Sequence, residues 1–246
     1  MRLLAIVPAF NEAANLPLVV SGLRGLSDLE VCVVDDGSTD ATARVAANLG
    51  ARVLRLPLNL GIGGAVQTGY RYAAENGFDL AIQVDGDGQH DPEWLPQLIE
   101  PAALGRADLV IGSRFLSKEQ SFRSTAARRV GIRYLSALLR LRCGVRVTDP
   151  TSGFRAAGRR AIELFARHYP SDYPEPEAIA MAARAGLVVE EVPVQMRPRR
   201  HGRSSIGAAQ AAYYMAKLSL AILLVAGAPG PRPEEEEPAL NKEMGA

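Results

Sequence analysis

An alternation of short apolar runs with helical spacing governs what this chain can fold into. Leu3–Val7 reads as a first strand and Glu12–Leu26 as the helix behind it. Val31–Val34 is a second strand. The helix Ala41–Leu49 follows, with Ser38 or Thr39 able to cap its start and Gly50 ending it. Arg52–Leu56 is a third strand, Gly64–Glu75 a helix, Leu80–Val84 a fourth strand and Leu109–Gly112 a fifth. Pro92 sits in the first turn of the intervening helix, where its missing N–H costs nothing. Such strand–helix repetition predicts a mostly parallel α/β sheet with helices on both faces. Ligands of these sheets bind beyond the carboxyl ends of the strands. The polar clusters Asn11-Glu12, Asp35-Asp36 and Asp85–His90 all fall there.

The second half is less regular. Arg128–Leu141 has helical spacing, Thr148–Arg155 is a polar turn, Glu177–Ala185 a helix stopped by Gly186, and Leu187–Val194 a strand. Met196–Ser205 is a basic loop and Ile206–Ala226 a long helical pattern. From Ala228 onward Pro, Gly and four consecutive glutamates predict disorder. The chain thus divides into an α/β domain over 1–205, an amphipathic helix over 206–227 and an acidic tail over 228–246. No internal repeat is present.

With 246 residues, 48% of them hydrophobic, the chain can bury a substantial core. Cys32 and Cys143 are too few and too far apart for a disulfide framework, which fits a reducing, cytosolic setting. The start, Met1-Arg2-Leu3-Leu4-Ala5-Ile6-Val7-Pro8, superficially resembles a signal peptide. Pro8, Asn11 and Glu12 break its apolar run and no small-residue cleavage site follows, so a strand is expected. The net charge of +1 hides a strong asymmetry: residues 1–100 carry 6 basic and 13 acidic side chains, and residues 101–160 carry 13 basic and 3 acidic. An acidic first part suits a metal, and a basic middle suits phosphate, nucleic acid or a membrane headgroup. Solvated helix faces account for most of these arginines.

Asp85-Gly86-Asp87-Gly88-Gln89-His90 directly follows an apolar strand. In an extended segment the side chains of Asp85, Asp87 and Gln89 point the same way. Hard cations such as Mg²⁺ or Mn²⁺ favour such oxygens and share them with substrate phosphates. Asp and Gly also make ordinary turns after strands. His90 reads as structural, because nitrogen is an unusual ligand for Mg²⁺.

Val7-Pro8-Ala9-Phe10-Asn11-Glu12, Val34-Asp35-Asp36-Gly37-Ser38-Thr39-Asp40 and Asp85–His90, in this order and spacing, resemble the family 2 glycosyltransferases. Ile111-Gly112-Ser113-Arg114, Asp149-Pro150-Thr151-Ser152-Gly153-Phe154 and the Arg-rich loop before Ser204 narrow the resemblance to the polyprenyl-phosphate (dolichyl-phosphate) mannosyl- and glucosyltransferase branch. It covers about residues 2–225 and implies a GT-A, Rossmann-like fold with a nucleotide-sugar donor, GDP-mannose or UDP-glucose. It places Pro8, Phe10, Glu12 and Asp36 around the base and ribose, with Asp85, Gly86, Asp87 and Arg199 completing the donor site. One of Asp35 and Asp36 is expected to hold its own turn instead. Asp87 and Gln89 are the implied metal ligands for Mg²⁺ or Mn²⁺, with Asp85 as their support. Asn59-Leu60-Gly61-Ile62-Gly63-Gly64 has neither the dinucleotide nor the Walker spacing and reads as a strand-to-helix turn beneath the donor.

The acceptor side needs an anion site, for which Arg114, Arg128 or its neighbour Arg129, and the Arg199/Arg200–Ser204 loop are the candidates, guanidinium groups being suited to bidentate phosphate contacts. The branch's Arg-x-x-Gly-x-Ser-Lys pattern here ends in Ser205 where a lysine is usual, with Arg203 available to compensate. Asp85, Asp87 and Arg114 are the expected catalytic set. A phosphate monoester, with a second pKa of about 6, needs no general base. The expected reaction is inverting hexosyl transfer from the donor to a polyprenyl phosphate. A hydroxyl acceptor would instead need a carboxylate base, from Asp149, Glu175 or Glu177. A donor-binding subunit of a membrane complex is the non-enzymatic alternative. The apolar part of Ala211–Val225 is shorter than the ~20 residues of a spanning helix. That helix is expected to lie at the membrane surface, on a partner membrane protein, or on the domain itself. The expected location is cytoplasmic, peripheral to the inner face of the membrane, with no nucleic-acid partner.

Overall fold

The protein is described by a computed structural model that covers residues 1–26, 28–116, 126–197 and 208–227. Its elements, in order, are β1 (Leu3–Ala9), α1 (Leu16–Leu23), β2 (Leu29–Asp35), α2 (Thr42–Asn48), β3 (Arg52–Arg55), α3 (Gly61–Glu75), β4 (Leu80–Gln83), α4 (Leu95–Ala103), β5 (Leu109–Ser113), α5 (Ala126–Cys143), β6 (Arg155–Gly158), α6 (Arg159–Arg167), α7 (Pro174–Arg184), β7 (Val189–Pro193) and α8 (Ala208–Gly227). The strands form one sheet in the order β3-β2-β1-β4-β6-β5-β7. Every pairing is parallel except those of β6, which runs antiparallel to β4 and β5.

The central strands are apolar on both faces, as strands covered on both sides must be. Leu4 and Ile6 of β1 join Tyr70, Phe165, Leu135 and Ile179 in one core, while Leu3, Ala5 and Val7 join Val20, Leu95 and Leu98 in the other. The first core lies under α3, α5, α6 and α7, the second under α1 and α4. The expected mostly parallel α/β sheet is therefore present.

Several boundaries differ from the sequence reading. The helix expected from Glu12 begins at Leu16, because Glu12–Asn15 forms a turn with Asn15 N–H donating to the Glu12 carbonyl (2.9 Å). The start of α2 is held by Asp40, whose Oδ1 accepts from Thr42 N–H (2.9 Å), rather than by Ser38 or Thr39. Helix α3 already begins at Gly61, and α7 begins at Pro174 rather than Glu177. Strand β6 and helix α6 were not anticipated.

Helix α8 packs against α5 and α7 through Leu218 and Ile222, yet leaves Leu220, Leu223 and Leu224 exposed. No described helix is long and apolar enough to cross a membrane. The acidic tail expected over 228–246 lies outside the described residues.

Candidate donor and acceptor site at the carboxyl edge of the sheet

Parallel strands β1, β2, β4, β5 and β7 deliver their carboxyl ends to one edge. Antiparallel β6 delivers its amino end, Arg155, to the same edge. The edge therefore gathers Pro8–Glu12, Asp35-Asp36, Asp85–His90, Ser113-Arg114 and the Asp149–Phe154 turn. A crevice at the strand-order reversal around β1 and β4 is where open α/β sheets bind ligands.

The first two strand ends are laced together by side chains. Asn11, in the left-handed region at φ 57°, accepts at Oδ1 from Thr39 N–H (2.9 Å) and Asp40 N–H (3.3 Å), while Asn11 N–H donates to Ser38 Oγ (2.9 Å). Pro8 is buried and Phe10 is 46% exposed, so the ring is available as a surface for a flat partner. Glu12 accepts from Asn15 Nδ2. Both aspartates of the second cluster hold backbone. Asp35 accepts from Ser38 N–H (3.0 Å) and pairs with Arg55 (3.6 Å). Asp36 accepts from Leu60 N–H (2.7 Å) and Gly61 N–H (3.0 Å), pinning the start of α3. Burial pushes the Asp36 carboxyl above its ordinary value, against the pull of those two N–H groups.

The Asp85–Gln89 segment is a turn and not the extended run expected from alternation. Gly88 takes a positive φ of 76°, and Asp87 Oδ1 accepts from Gln89 N–H (3.0 Å), an Asx turn. The equal orientation of Asp85, Asp87 and Gln89 inferred from strand periodicity is therefore replaced by turn geometry. Gly86 lies hard against β1: a Cβ there would come within 2.9 Å of the Pro8 carbonyl and 3.6 Å of Glu12 Cγ. Among the described residues no three His, Cys, Asp or Glu side chains form a metal cage. The Asp85 and Asp87 carboxylates and the Gln89 amide still supply, within one turn, oxygens of the chemical type that Mg²⁺ or Mn²⁺ takes together with substrate phosphates. Asp85 is the more open of the two carboxylates, and Asp87 is 7% exposed. His90 braces the turn: it accepts from Asp85 N–H at Nδ1 (3.0 Å), stacks on Phe154 (4.7 Å) and turns Nε2 toward Asp85 Oδ2 (3.6 Å).

Asp85 is also backed from beneath. Buried Gln83 donates to Asp85 Oδ1 (3.4 Å), and Tyr169 donates to Gln83 Oε1 (3.5 Å). A Cβ at Gly153 would meet both Asp85 oxygens at 3.1 Å, so the Asp149–Phe154 turn presses its backbone onto that carboxylate. Sequence reasoning missed Gln83 and Tyr169. The available signal was a lone amide inside the apolar run Leu80–Val84.

On the far side, Arg114 is 6% exposed and Asp149 fully buried. They form a bidentate pair, Nε to Oδ2 and Nη2 to Oδ1, both at 2.6 Å, with Thr151 Oγ1 a further acceptor for Nη2 (2.9 Å). Glu191 braces the turn, accepting from Thr148 N–H (2.6 Å), Thr148 Oγ1 (2.9 Å) and Asp149 N–H (2.8 Å). Arg155, 1% exposed, donates to the Ser152, Glu175 and Pro150 carbonyls (2.7, 2.9 and 3.1 Å). Arg128 is exposed at the start of α5 yet lies near enough to Arg114 to feel its charge; partial desolvation first, and that charge second, lower its pKa. Glu175 faces the same space: burial raises its pKa, and the charges of Arg155, Asp85 and Arg114 act on it.

Arg199, Arg200 and Ser204 lie outside the described residues, as do Arg203 and Ser205. The strand leading to them is fixed beside the turn: Arg197 N–H donates to the Gln89 carbonyl (2.8 Å), and Arg197 pairs with Asp91 (2.7 Å).

The profile of "Glycosyl transferase family 2" matches residues 4–165. The chain is 36% identical over 216 residues to the undecaprenyl-phosphate mannosyltransferase of Micrococcus luteus, covering 84% of this chain and 88% of that one. It is 31% identical over 215 residues to the polyprenol monophosphomannose synthase of Mycolicibacterium smegmatis, covering 83% and 81%. In structure it is similar to glucosyl-3-phosphoglycerate synthase of Mycobacterium tuberculosis, solved with Mn²⁺, UDP and glucosyl-3-phosphoglycerate. The TM-score is 0.71 at 26% identity, over 93% of this chain and 81% of that one. With its GT-A-like sheet and the acidic turn at the end of β4, the chain belongs to glycosyl transferase family 2.

Proposed function

We propose that this protein transfers a hexosyl group, with inversion, from a nucleotide sugar to a polyprenyl phosphate. The observation that carries the proposal is the pairing of two opposite corners on one sheet edge. The acidic turn Asp85–Gln89 suits a cation and a diphosphate, and the Arg114–Arg128 corner suits an anionic acceptor. The two mannosyltransferase relatives support mannose as the hexose and a polyprenyl phosphate as the acceptor.

On this reading Pro8, Phe10, Glu12 and Asp36 flank the nucleoside. Asp85, Gly86 and Asp87 approach the sugar and diphosphate, with Arg199 added from the loop after Arg197. Asp87 and Gln89 hold Mg²⁺ or Mn²⁺, in keeping with the metal named for the structural relative. The chemistry such a cation supplies is neutralisation of the leaving nucleoside diphosphate.

An acceptor phosphate oxygen attacks the anomeric carbon, the bond from that carbon to the diphosphate oxygen breaks, and the nucleoside diphosphate leaves with the electron pair. The phosphate is already an anionic nucleophile near neutral pH, so no side chain must remove a proton. Arg114 is oriented by Asp149, and Arg128 lies within range of its charge. Two neighbouring guanidiniums repel, and an arriving phosphate relieves that repulsion. Arg200 and Ser204 complete the acceptor contacts. Asp149 orients Arg114 rather than acting as a base, because Arg114 and Thr151 occupy both of its oxygens.

The setting is a membrane surface. Val130, Tyr134 and Leu141 are exposed on α5 at spacings of four and seven residues, alongside Arg133 and Arg140, which have no carboxylate partner among the described residues. Ser219 Oγ on α8 donates to Tyr134 (3.1 Å), so the exposed leucines of α8 adjoin this stripe. Apolar residues flanked by arginines suit an anionic bilayer surface.

The test incubates the full chain with Mn²⁺, GDP-mannose or UDP-glucose, and undecaprenyl phosphate. A lipid-linked hexose of inverted anomeric configuration is expected. Donor binding without transfer to the lipid phosphate overturns the proposal and favours the donor-binding subunit.

A further inference from the structure

Between α6 and α7, residues Tyr169–Tyr173 touch the amide beneath Asp85, the first turn of α3 and helix α8. Tyr169 packs its ring on Tyr70 and Phe165 (5.5 and 5.3 Å) and donates to Gln83, the amide beneath Asp85. The Ser171 carbonyl accepts from Gly63 N–H (3.1 Å) in the first turn of α3, the turn that Asp36 pins from the other side. The fit there is close: a Cβ at Gly63 would stand 2.0 Å from the Pro170 carbonyl oxygen and 2.4 Å from that of Ser171. Asp172 accepts from Lys217 of α8, and the Tyr173 ring meets Tyr214 of α8 at 3.9 Å between centroids. Tyr173 holds a left-handed backbone at φ 51°, ψ 58°, uncommon for a bulky residue, which persists only where surroundings over-determine it. Two residues on, the Glu175 carbonyl is gripped by Arg155, which also braces the Asp149–Phe154 turn.

We propose that Tyr169–Tyr173 is a positioning strap through which helix α8 sets the relative placement of the Asp36–α3 corner and the Asp85 turn. Helix α8 then has a role in transfer beyond any attachment to a membrane. Tyr169, Ser171 and Tyr173 act through Gln83, Gly63 and Tyr214 and touch no substrate. The exposed face of α8, with Leu220, Leu223 and Leu224, remains available for a bilayer while Tyr214 and Lys217 hold the strap. The catalytic part of this inference rests on the transferase reading above; the structural part does not.

The test uses the double variant Tyr214→Ala/Lys217→Ala in the full chain, with Tyr214→Phe as the conservative control. The acceptor is undecaprenyl phosphate dispersed in detergent, so that membrane attachment cannot limit the rate. Displacing a reacting geometry by a fraction of an ångström is costly, and a kcat loss of about tenfold is expected in the double variant. Vesicle flotation on anionic liposomes stays at the level of the parent. Hydrogen exchange at the Gly63 amide, which reports the strap contact itself, accelerates about tenfold. Tyr214→Phe keeps the ring contact and the Lys217–Asp172 pair, loses only the hydroxyl bond to Tyr173, and holds both values near those of the parent. Parental kcat or parental Gly63 exchange in a folded double variant overturns the proposal. Should the parent form no lipid-linked sugar at all, the transferase reading fails. Gly63 exchange, together with the affinity for a nucleoside diphosphate and Mn²⁺, still judges the strap.

Discussion

Asp87 and Asp149 are both buried carboxylates, and their surroundings give them different tasks. Asp87 accepts from Gln89 N–H within a tight turn at the carboxyl end of β4. Asp87→Asn keeps that turn but lowers the charge offered to a cation. It is expected to reduce kcat/KM by about a thousandfold, ~4 kcal/mol of transition-state stabilisation, with little change in melting temperature. Steady-state rates over a Mn²⁺ titration check this. Asp149 instead locks Arg114 in a bidentate grip. Removing one partner of a buried pair costs about 3–5 kcal/mol. Asp149→Ala is therefore expected to lower the melting temperature by roughly 10 °C as well as the activity, measurable by calorimetry.

Glu175 makes a third case. Burial raises its pKa from the ordinary 4.5, so the folded protein holds this proton more tightly than the unfolded chain does. Its contribution to stability therefore falls as pH rises from 4.5 through the raised value. Glu175→Gln is expected to be more stable than the parent at about pH 7.5 and close to it at about pH 5, read from urea titrations. It should also keep its transfer rate to a phosphate acceptor, since that reaction needs no base. A large loss of rate would favour a carboxylate-base mechanism.

Among the elements, α8 shows how one helix can carry two faces. Ile222 is fully buried, and Ile222→Ala is expected to cost about 2–5 kcal/mol in unfolding free energy. Replacing exposed Leu220, Leu223 and Leu224 together by Ser should leave the melting temperature within about 2 °C, consistent with surface substitutions, while reducing flotation on anionic vesicles. Flotation and calorimetry on the same two variants separate the faces. The strands that carry Glu12, Asp36 and Asp85 were legible in the sequence, because an apolar run ending in acids has few other readings in a parallel sheet. Strand β6 was not, since Arg155-Ala156-Ala157-Gly158 has little strand propensity of its own. It becomes a strand by filling the slot between β4 and β5. Strand alternation misled at Asp85–Gln89, where Asp-Gly-Asp-Gly is turn chemistry. The Arg114–Asp149 pair is non-local, so residue types alone could nominate Arg114 for phosphate without revealing the carboxylate that orients it.

At the scale of the whole molecule, charge and topology agree. The sheet carries the acidic first half of the chain to one corner of its carboxyl edge, and β5, α5 and the Asp149–Phe154 turn carry the basic middle to the other. On the proposed function, a cation-associated diphosphate and an anionic acceptor would thus meet at one edge of the sheet. The exposed α5–α8 surface adjoins the acceptor corner, which suits an acceptor whose phosphate stands at the surface of a membrane. The central claim is that the nucleophile is a phosphate. It is tested most directly by offering the same enzyme, with GDP-mannose and Mn²⁺, undecaprenyl phosphate and its dephosphorylated alcohol in parallel. The account predicts lipid-linked mannose from the phosphate alone, abolished by EDTA and restored by Mn²⁺. Equal transfer to the alcohol would contradict it.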